Sequence, residues 1–226
     1  MCTVTYLPLN KEDFILTSNR DVSFAREKAL PPKIYMEDGI ELFYPKDGKA
    51  GGTWIGSSSM NRLICLLNGG FENHITADWY AKSRGEIVKE LLKSNTIHEG
   101  LQEVDLQHIE PFTLVIVDWN STLKVFEFVW DGKQKHLKNL PNKPQIWSSS
   151  TLYTEEMKKM RKDWFENWKM ENEINSESIL RFHREAGIGD PRVDVLMHRK
   201  NVGTVSITQV SSNSKNVKMD YLAIIP

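Results

Sequence analysis

Residues 112–130 read FTLVIVDWNSTLKVFEFVW, and this stretch indicates the fold class more clearly than any other. Two apolar segments, Phe112–Trp119 and Leu123–Trp130, flank the polar turn residues 120–122. Short segments rich in β-branched and aromatic residues on either side of a polar turn are typical of a β-hairpin. The stretch therefore predicts two adjacent antiparallel strands.

The same pattern of short apolar segments and polar turns recurs along the rest of the chain. Further strands are predicted over residues 3–8, 14–18, 62–67, 204–210 and 217–225, and GGTWIG at 51–56 is predicted to lead into another. Helical spacing of apolar residues predicts a helix over 78–93. Further helices are predicted over 154–170, with Thr154 as the N-cap, and over 176–186, ending at Gly187. Residues 22–50, which contain three prolines, are predicted to be irregular. Hairpins in succession with few helices indicate an α+β protein with antiparallel sheets, and we expect residues 1–226 to form a single domain.

Composition and charge exclude several classes of function. The 226 residues carry 29 basic and 30 acidic side chains, and this balance argues against a nucleic-acid-binding protein. Every apolar run is far shorter than the roughly 20 residues of a membrane-spanning helix, so no membrane span is expected. With two cysteines and no secretory signal, we expect a cytoplasmic protein.

Local motifs for metals and cofactors are not found in the sequence. The six histidines show neither HExxH nor zinc-ligand spacing, and no P-loop or GxGxxG is present. We therefore expect no metal and no cofactor. The residues alone leave haem ligation open, because a single axial His or Cys needs no local motif.

Cys2 is the first candidate catalytic residue. Removal of Met1 would leave a thiol and a free α-amine on one residue, which places a nucleophile beside its own base. Their ordinary pKa values, about 8.5 and about 7.7–8.0, make proton exchange near neutral pH nearly balanced. The alternative is that Cys2 is a small apolar residue at the start of a strand. Cys65, inside the apolar run LICLL, is expected to be part of the core.

Two polar clusters that follow apolar strands are further candidates. Asn19-Arg20-Asp21 offers a carboxylate that could hold an α-ammonium, and a guanidinium that would favour a nearby thiolate. Asn68-Gly69-Gly70 offers an amide N–H for an oxyanion hole. Each cluster could equally be an ordinary turn at the end of a strand.

The ordered set of segments resembles the NRDE family, also called the transport-and-Golgi-organisation-two family. The resemblance rests on Met1-Cys2-Thr3, on Asn19-Arg20-Asp21 with Val22 where the family has Glu, and on Gly51–Gly56. It continues through Arg84-Gly85-Glu86, residues 147–153 and residues 204–207, and so spans roughly residues 1–210.

That family is similar to the N-terminal-nucleophile hydrolases of the bile-salt hydrolase and penicillin V acylase group. The resemblance implies a four-layer αββα sandwich with two antiparallel sheets. It also implies a role for each of several residues: Cys2 as nucleophile, Asp21 as partner of the α-amine, and Asn68 in the oxyanion hole. In this sequence Ser18 lies near the position of the hydrolases' first Arg, and Arg20 is adjacent to Asp21.

Two further positions correspond to substrate-binding residues of those hydrolases. Ser150 lies at or near the place of a second active-site Asn, and Arg199 is the counterpart of a late Arg. The nucleophile is thus retained while the residues around it are altered.

Two hypotheses for function follow. The first is an N-terminal-cysteine amidohydrolase that cleaves a non-peptide C–N amide bond of a small, partly apolar substrate. The second is a non-enzymatic family member that binds or escorts haem or acyl lipids and is linked to secretory-pathway organisation. Both predict a small apolar or amide-containing molecule as the partner, and neither defines an oligomeric state.

Overall fold

The structure is a computed structural model that describes residues 3–213 and 216–224. Its strands are β1 (Thr3–Pro8), β2 (Phe14–Ser23), β3 (Leu30–Glu37), β4 (Ile40–Lys46), β5 (Ile55–Ser58), β6 (Arg62–Asn68), β7 (Phe112–Asp118), β8 (Lys124–Trp130), β9 (Lys135–Leu140), β10 (Gln145–Ser148), β11 (Val202–Asn213) and β12 (Asn216–Ala223). Its helices are α1 (Arg84–Lys93), α2 (Ile97–Glu103), α3 (Glu155–Glu171) and α4 (Ser176–Glu185). In the described part of the chain, no helix is long and apolar enough to cross a membrane.

The first of two compact units contains the described residues up to Arg26 and those from Asn142 onward. Its five-stranded sheet has the order β10-β1-β2-β11-β12, and every neighbouring pair is antiparallel. Helices α3 and α4 cover one face of this sheet. The core there is formed by Leu7, Ile15, Phe165, Trp168, Ile179, Phe182 and Val195.

The second unit, Glu27–Pro141, contains a seven-stranded sheet in the simple order β3 to β9. Each strand pairs antiparallel with the next along the chain, so the whole sheet is a succession of hairpins. Helix α1 packs on β5 and β6 through Ile87, Val88, Leu91 and Leu92. The two units together confirm an α+β protein with antiparallel sheets; a single domain over 1–226 stays a prediction.

The prediction that residues 22–50 are irregular was wrong. β3 and β4 form a hairpin there, with a turn at Asp38-Gly39 whose φ angles are +55° and +80°. Such positive φ angles are typical of the tight turns that match strand twist. Pro31 and Pro32 obscured the strand, yet proline is tolerated in β3 because β3 is an edge strand.

Several boundaries also differ from the predicted ones. The predicted helix over 78–93 begins only at Arg84, where Ser83 caps it, and α2, β9 and β10 were not predicted. The helix predicted over 154–170 is confirmed, with Thr154 as its N-cap. β11 and β12 pair out to Asn213 and Asn216, while residues 214, 215 and 225 of the predicted closing hairpin lie outside the described residues.

Two of the family-like segments pack directly against each other in the second unit. A Cβ on Gly52 would lie 2.6 Å from the carbonyl carbon of Gly85, and a Cβ on Gly85 would lie 2.7 Å from the backbone of Thr53. The Thr53 N–H donates to the Gly85 carbonyl oxygen at 3.3 Å. Glycine is needed at both positions because the N-terminus of α1 approaches the backbone of residues 52–53 closely.

Substitution of Gly85 by alanine is expected to lower the free energy of unfolding by about 1–3 kcal/mol, because the new methyl group overlaps backbone that cannot move freely. At a helix position without such a contact, the same substitution would stabilise the protein by up to about 1 kcal/mol. The sign of the change in chemical denaturation therefore tests the contact. Glu90→Ala on the same helix is the control, since its ion pair with Lys82 is exposed. A stabilised Gly85→Ala variant would contradict the close approach.

Candidate functional site

The Asn19-Arg20-Asp21 segment lies in the last part of β2, at the end of the five-stranded sheet where β1 begins. Val4 pairs with Ser18, so the three residues extend past the described β1–β2 pairing. All three are buried, with Arg20 2% and Asp21 1% exposed. Buried polar side chains at a sheet end cost free energy unless they are bonded, so their partners define the chemistry of this region.

Asn19 attaches α4 and the segment after it to the sheet. Its side-chain N–H groups donate to the carbonyl oxygens of His183 (3.1 Å) and Val195 (2.9 Å). The Asn19 Oδ1 is therefore the acceptor for His183 Nδ1 at 2.6 Å. His183 Nε2 lies 2.8 Å from the hydroxyl of Thr5 on β1. These hydrogen bonds give Asn19 a structural role, because they hold α4 and the segment around Val195 against β2.

Asp21 accepts hydrogen bonds from two hydroxyl groups on the same face of the sheet. The Tyr153 hydroxyl donates to Oδ2, and the Thr204 hydroxyl donates to Oδ1 at 2.6 Å. The Thr204 oxygen also accepts from the backbone N–H of Met197 at 3.0 Å, which directs its own proton to Asp21. Arg20 lies between Asn19 and Asp21 in an extended strand, so its side chain is on the opposite face.

Tyr153 is itself held by two guanidinium groups. The Arg161 carbon Cζ lies 3.4 Å from the centre of the Tyr153 ring, and the Arg199 Cζ lies 5.7 Å from it. Arg161 is fully buried and donates from Nη2 to the carbonyl oxygens of Val193 (2.9 Å) and Asp194 (2.8 Å). These contacts fix the ring beneath α3 and the 193–194 segment.

Ser150 and Arg199 lie at the same end of the five-stranded sheet. Ser150 is in the turn between β10 and α3, three residues before Tyr153, and β10 ends at Ser148 opposite Thr3. Arg199 donates from Nη1 to the carbonyl oxygen of Leu152 at 3.2 Å, which ties it to that turn. Asp21 and Arg199 therefore share Tyr153 as a partner, and Ser150 lies in the turn that leads to it, whereas the Arg20 side chain is on the opposite face of the sheet. The roles of all four residues stay predictions.

Of Cys2 and Asn68, the predicted nucleophile and oxyanion donor, the structure describes only Asn68. Cys2 lies outside the described residues. Asn68 ends β6 in the second unit, opposite Phe112 of β7. The neighbouring Gly69 N–H donates to the Pro111 carbonyl oxygen at 3.0 Å, so this backbone donor is already used. Asn68 remains the predicted oxyanion donor through its side-chain amide.

The second unit also contains an aromatic-lined cavity of about 680 Å³. Its lining includes Trp79, Tyr80, His108, Trp130 and Lys135. Trp79 is 59% exposed and stacks on the His108 ring, with the ring centres 4.5 Å apart. A cavity of this size with exposed aromatic walls is of the kind that takes small, largely apolar molecules.

Among residues 3–213 and 216–224, no group of three or more His, Cys, Asp or Glu side chains could hold a metal ion.

The comparisons with known proteins agree with this architecture. A family model described as Transport and Golgi organisation 2 matches residues 1–212. The chain belongs to this family. A human relative, Transport and Golgi organization protein 2 homolog, is 31% identical over 94 residues, which are 39% of this chain and 32% of that protein. The chain therefore spans about a third of the length of the curated relative it matches.

Solved structures show which fold the family member adopts. A Caenorhabditis elegans orthologue of N-acylethanolamine-hydrolyzing acid amidase has a TM-score of 0.60 at 12% identity and covers 92% of both chains. A variant of conjugated bile acid hydrolase from Clostridium perfringens has a TM-score of 0.50 at 9% identity and covers 98% of this chain and 92% of that one. These similarities confirm the N-terminal-nucleophile hydrolase fold that the sequence resemblance implied.

Tyr153, Arg161, Thr204 and His183 were not predicted as part of this region. Tyr153 closes the family-like segment 147–153, which was the available signal for it. Arg161 lies four and seven residues before Phe165 and Trp168, on the apolar face of α3. A charged residue at an apolar-face position, with no charge partner at helical spacing on that face, could have indicated a buried contact.

Proposed function

We propose that this protein is an N-terminal-cysteine amidohydrolase that cleaves a non-peptide C–N amide bond of a small, partly apolar substrate. The observation that carries the proposal is the buried Asp21 carboxylate, next to Arg20, at the end of the sheet where β1 begins. Cys2 directly precedes β1 in the sequence. A buried carboxylate is a natural partner for a cationic α-amine, because each compensates the other's desolvation.

The proposed reaction begins with attack of the Cys2 thiolate on the amide carbonyl carbon, which forms a C–S bond and a tetrahedral oxyanion. The Asn68 side-chain N–H and a backbone N–H would stabilise this oxyanion. The thiol proton passes through the α-amine to the leaving nitrogen as the C–N bond breaks. Water then attacks the thioester, which releases the carboxylic acid and restores the thiol.

The proposal places two requirements on the chain end. Met1 must be removed, so that Cys2 carries the α-amine. The antiparallel pairing of β1 with β2, described from Val4 and Ser18 onward, must continue for two more residues. Cys2 would then face Arg20, whose guanidinium favours the thiolate.

A second candidate function is binding of an apolar molecule without cleavage. The aromatic-lined cavity of the second unit favours it, because stacked, exposed Trp79 and His108 offer an apolar surface. Haem and acyl lipids are the ligands that this hypothesis names.

The two candidates are separated by intact mass and a substrate panel. For protein expressed in its native host, we expect a mass lower by one methionine. We further expect hydrolysis of an N-acylethanolamine or of a bile acid amide conjugate, which are amides of the kind named for the structurally similar enzymes. Saturable binding of these amides or of haem with no released acid, measured by calorimetry and mass spectrometry, would support the binding protein and contradict the hydrolase.

A further inference from the structure

The polar network under α3 contains one fully buried cation whose charge the described residues do not neutralise by an ion pair. Arg161 is 0% exposed, and its Nη2 bonds only to the two carbonyl oxygens of residues 193 and 194. Its Nε and Nη1 atoms are buried without a hydrogen-bond partner among residues 3–213 and 216–224. Burial of an unpaired charge costs several kcal/mol, so such an arrangement indicates a specific use.

Tyr153 connects this cation to the Asp21 carboxylate. The guanidinium carbon of Arg161 lies 3.4 Å from the ring centre, in the geometry of a cation–π contact. A cation over the ring face draws electron density from the phenol and makes its O–H a stronger donor. That O–H donates to Asp21 Oδ2, so the favourable effect of Arg161 reaches the carboxylate through the tyrosine.

The two hydroxyl donors also fix the orientation of the carboxylate. Thr204 occupies an acceptor site on Oδ1, and Tyr153 one on Oδ2. With one hydroxyl donor on each oxygen, the two hydrogen bonds hold the carboxylate group in one plane. A fixed carboxylate is what precise orientation of an α-ammonium requires.

We propose that Tyr153 is a positioning residue that orients Asp21 toward the α-amine of Cys2, with Arg161 clamping its ring. This inference rests on the proposed function, because it assigns a purpose to Asp21 within that site. Tyr153 does not contact the substrate in this proposal. Its effect is to keep the α-ammonium, and through it the Cys2 thiolate, in place.

Tyr153→Phe tests the proposal because it removes only the hydroxyl and keeps the ring over which Arg161 stacks. The readout is the rate of Cys2 alkylation by iodoacetamide against pH, which needs no substrate. We expect Tyr153→Phe to label Cys2 several-fold more slowly at pH 7, with the midpoint of the profile shifted to higher pH. A less firmly held α-ammonium favours the thiolate less.

Tyr44→Phe is the matched control. Tyr44 is also a buried tyrosine whose hydroxyl donates to a carboxylate, that of Glu37 at 2.9 Å, but it lies in the second unit. We expect it to lose a similar amount of stability while its Cys2 labelling profile stays that of the unmodified protein. If Tyr153→Phe labels Cys2 as the unmodified protein does, Tyr153 is merely structural and the proposal is wrong.

Hydrolysis gives a second readout that separates this inference from the proposed function. Where amide hydrolysis is present, we expect Tyr153→Phe to lower kcat by about 10–100-fold with little change in KM. The reason is that a less firmly oriented carboxylate holds the α-amine less precisely, while Tyr153 makes no contact with the substrate. Thr204→Val removes the other hydroxyl donor to Asp21 and should lower kcat as well.

The possible outcomes are distinct. In one outcome, Cys2 is labelled quickly in the unmodified protein and more slowly in Tyr153→Phe, but no amide is hydrolysed. This result contradicts the hydrolase and supports the positioning role. Hydrolysis that is unaffected by Tyr153→Phe supports the hydrolase and contradicts the positioning role. Retention of Met1 contradicts both, because Cys2 then carries no α-amine.

Discussion

Replacement of Cys2 by alanine is expected to abolish amide hydrolysis, with a loss in kcat of about 10⁴–10⁶-fold. Removal of a catalytic nucleophile has effects of this size because the covalent route is lost entirely, and only binding and oxyanion stabilisation remain. Cys2→Ser should be nearly as inactive, since a hydroxyl is far less nucleophilic than a thiolate near neutral pH. Both variants should still bind the substrate, which separates loss of chemistry from loss of the site.

Cys65 provides the matched control for this experiment. It is fully buried in β6, between Ile55 of β5 and Val115 of β7 in the ladder. Cys65→Ala should therefore retain hydrolysis, and iodoacetamide should label Cys2 before Cys65. The Cys2 rate should rise through a midpoint below the ordinary thiol value of about 8.5, because Arg20 and the α-ammonium both favour the thiolate. Activity that survives in Cys2→Ala, or preferential labelling of Cys65, would remove the hydrolase hypothesis.

Acidification is expected to destabilise the first unit through His183. Burial and, to a lesser extent, the nearby charge of Arg161 lower the pKa of His183 from 6.5 to about 3. The hydrogen bonds explain why the neutral form is required. Nδ1 donates to Asn19 Oδ1, so in the neutral ring Nε2 accepts the proton of the Thr5 hydroxyl. Protonation of His183 at Nε2 would place its N–H donor against the Thr5 O–H donor, unless the Thr5 hydroxyl rotates so that its oxygen accepts.

The direction of the pH effect follows from linkage. The folded-state pKa is below the unfolded value, so the unfolded chain binds a proton between about pH 6.5 and 3 that the folded chain does not. The stabilisation is fully present above pH 6.5 and is lost as the pH falls, by up to about 1.4 kcal/mol per pH unit. Over the accessible range this amounts to a few kcal/mol.

Urea denaturation between pH 7.5 and 4.5 checks this prediction in the His183→Gln variant. Glutamine is neutral throughout, so we expect the variant to be less stable than the unmodified protein at pH 7.5 and to lose less stability on acidification. His98→Gln, at an exposed position of α2, is the control and should follow the unmodified profile. Equal pH slopes for His183→Gln and the unmodified protein would show that His183 does not contribute the effect.

Local sequence patterns were sufficient for most of the regular elements. The hairpin of β7 and β8, the N-cap Thr154 and the helix over 176–186 depend on residues within a few positions of one another, and the structure confirms them. The β3–β4 hairpin was missed because two prolines outweighed the Asp38-Gly39 turn signal. Proline is unfavourable in a strand only where its missing N–H is needed, and an edge strand leaves one side unpaired. Position in the sheet, which decides this, is not a local property.

The candidate site shows the same limit. Asp21 could be proposed from the sequence because a carboxylate follows an apolar strand and because the segment resembles a known family. Its partners could not: Tyr153 and Thr204 lie 132 and 183 positions away in the chain. Their proximity depends on β10 pairing with β1 and β11 pairing with β2.

By itself, the sequence determined the class of the fold, the family-like segments and the residues that could carry amide chemistry, because alternation, turn residues and caps act over a few positions. Only the tertiary structure decided the strand order, and with it that Arg161 lies over Tyr153 and that Tyr153 reaches Asp21. The physical reason is that hairpin signals specify which neighbours in the chain pair, whereas pairing between distant strands is selected by burial of the whole sheet.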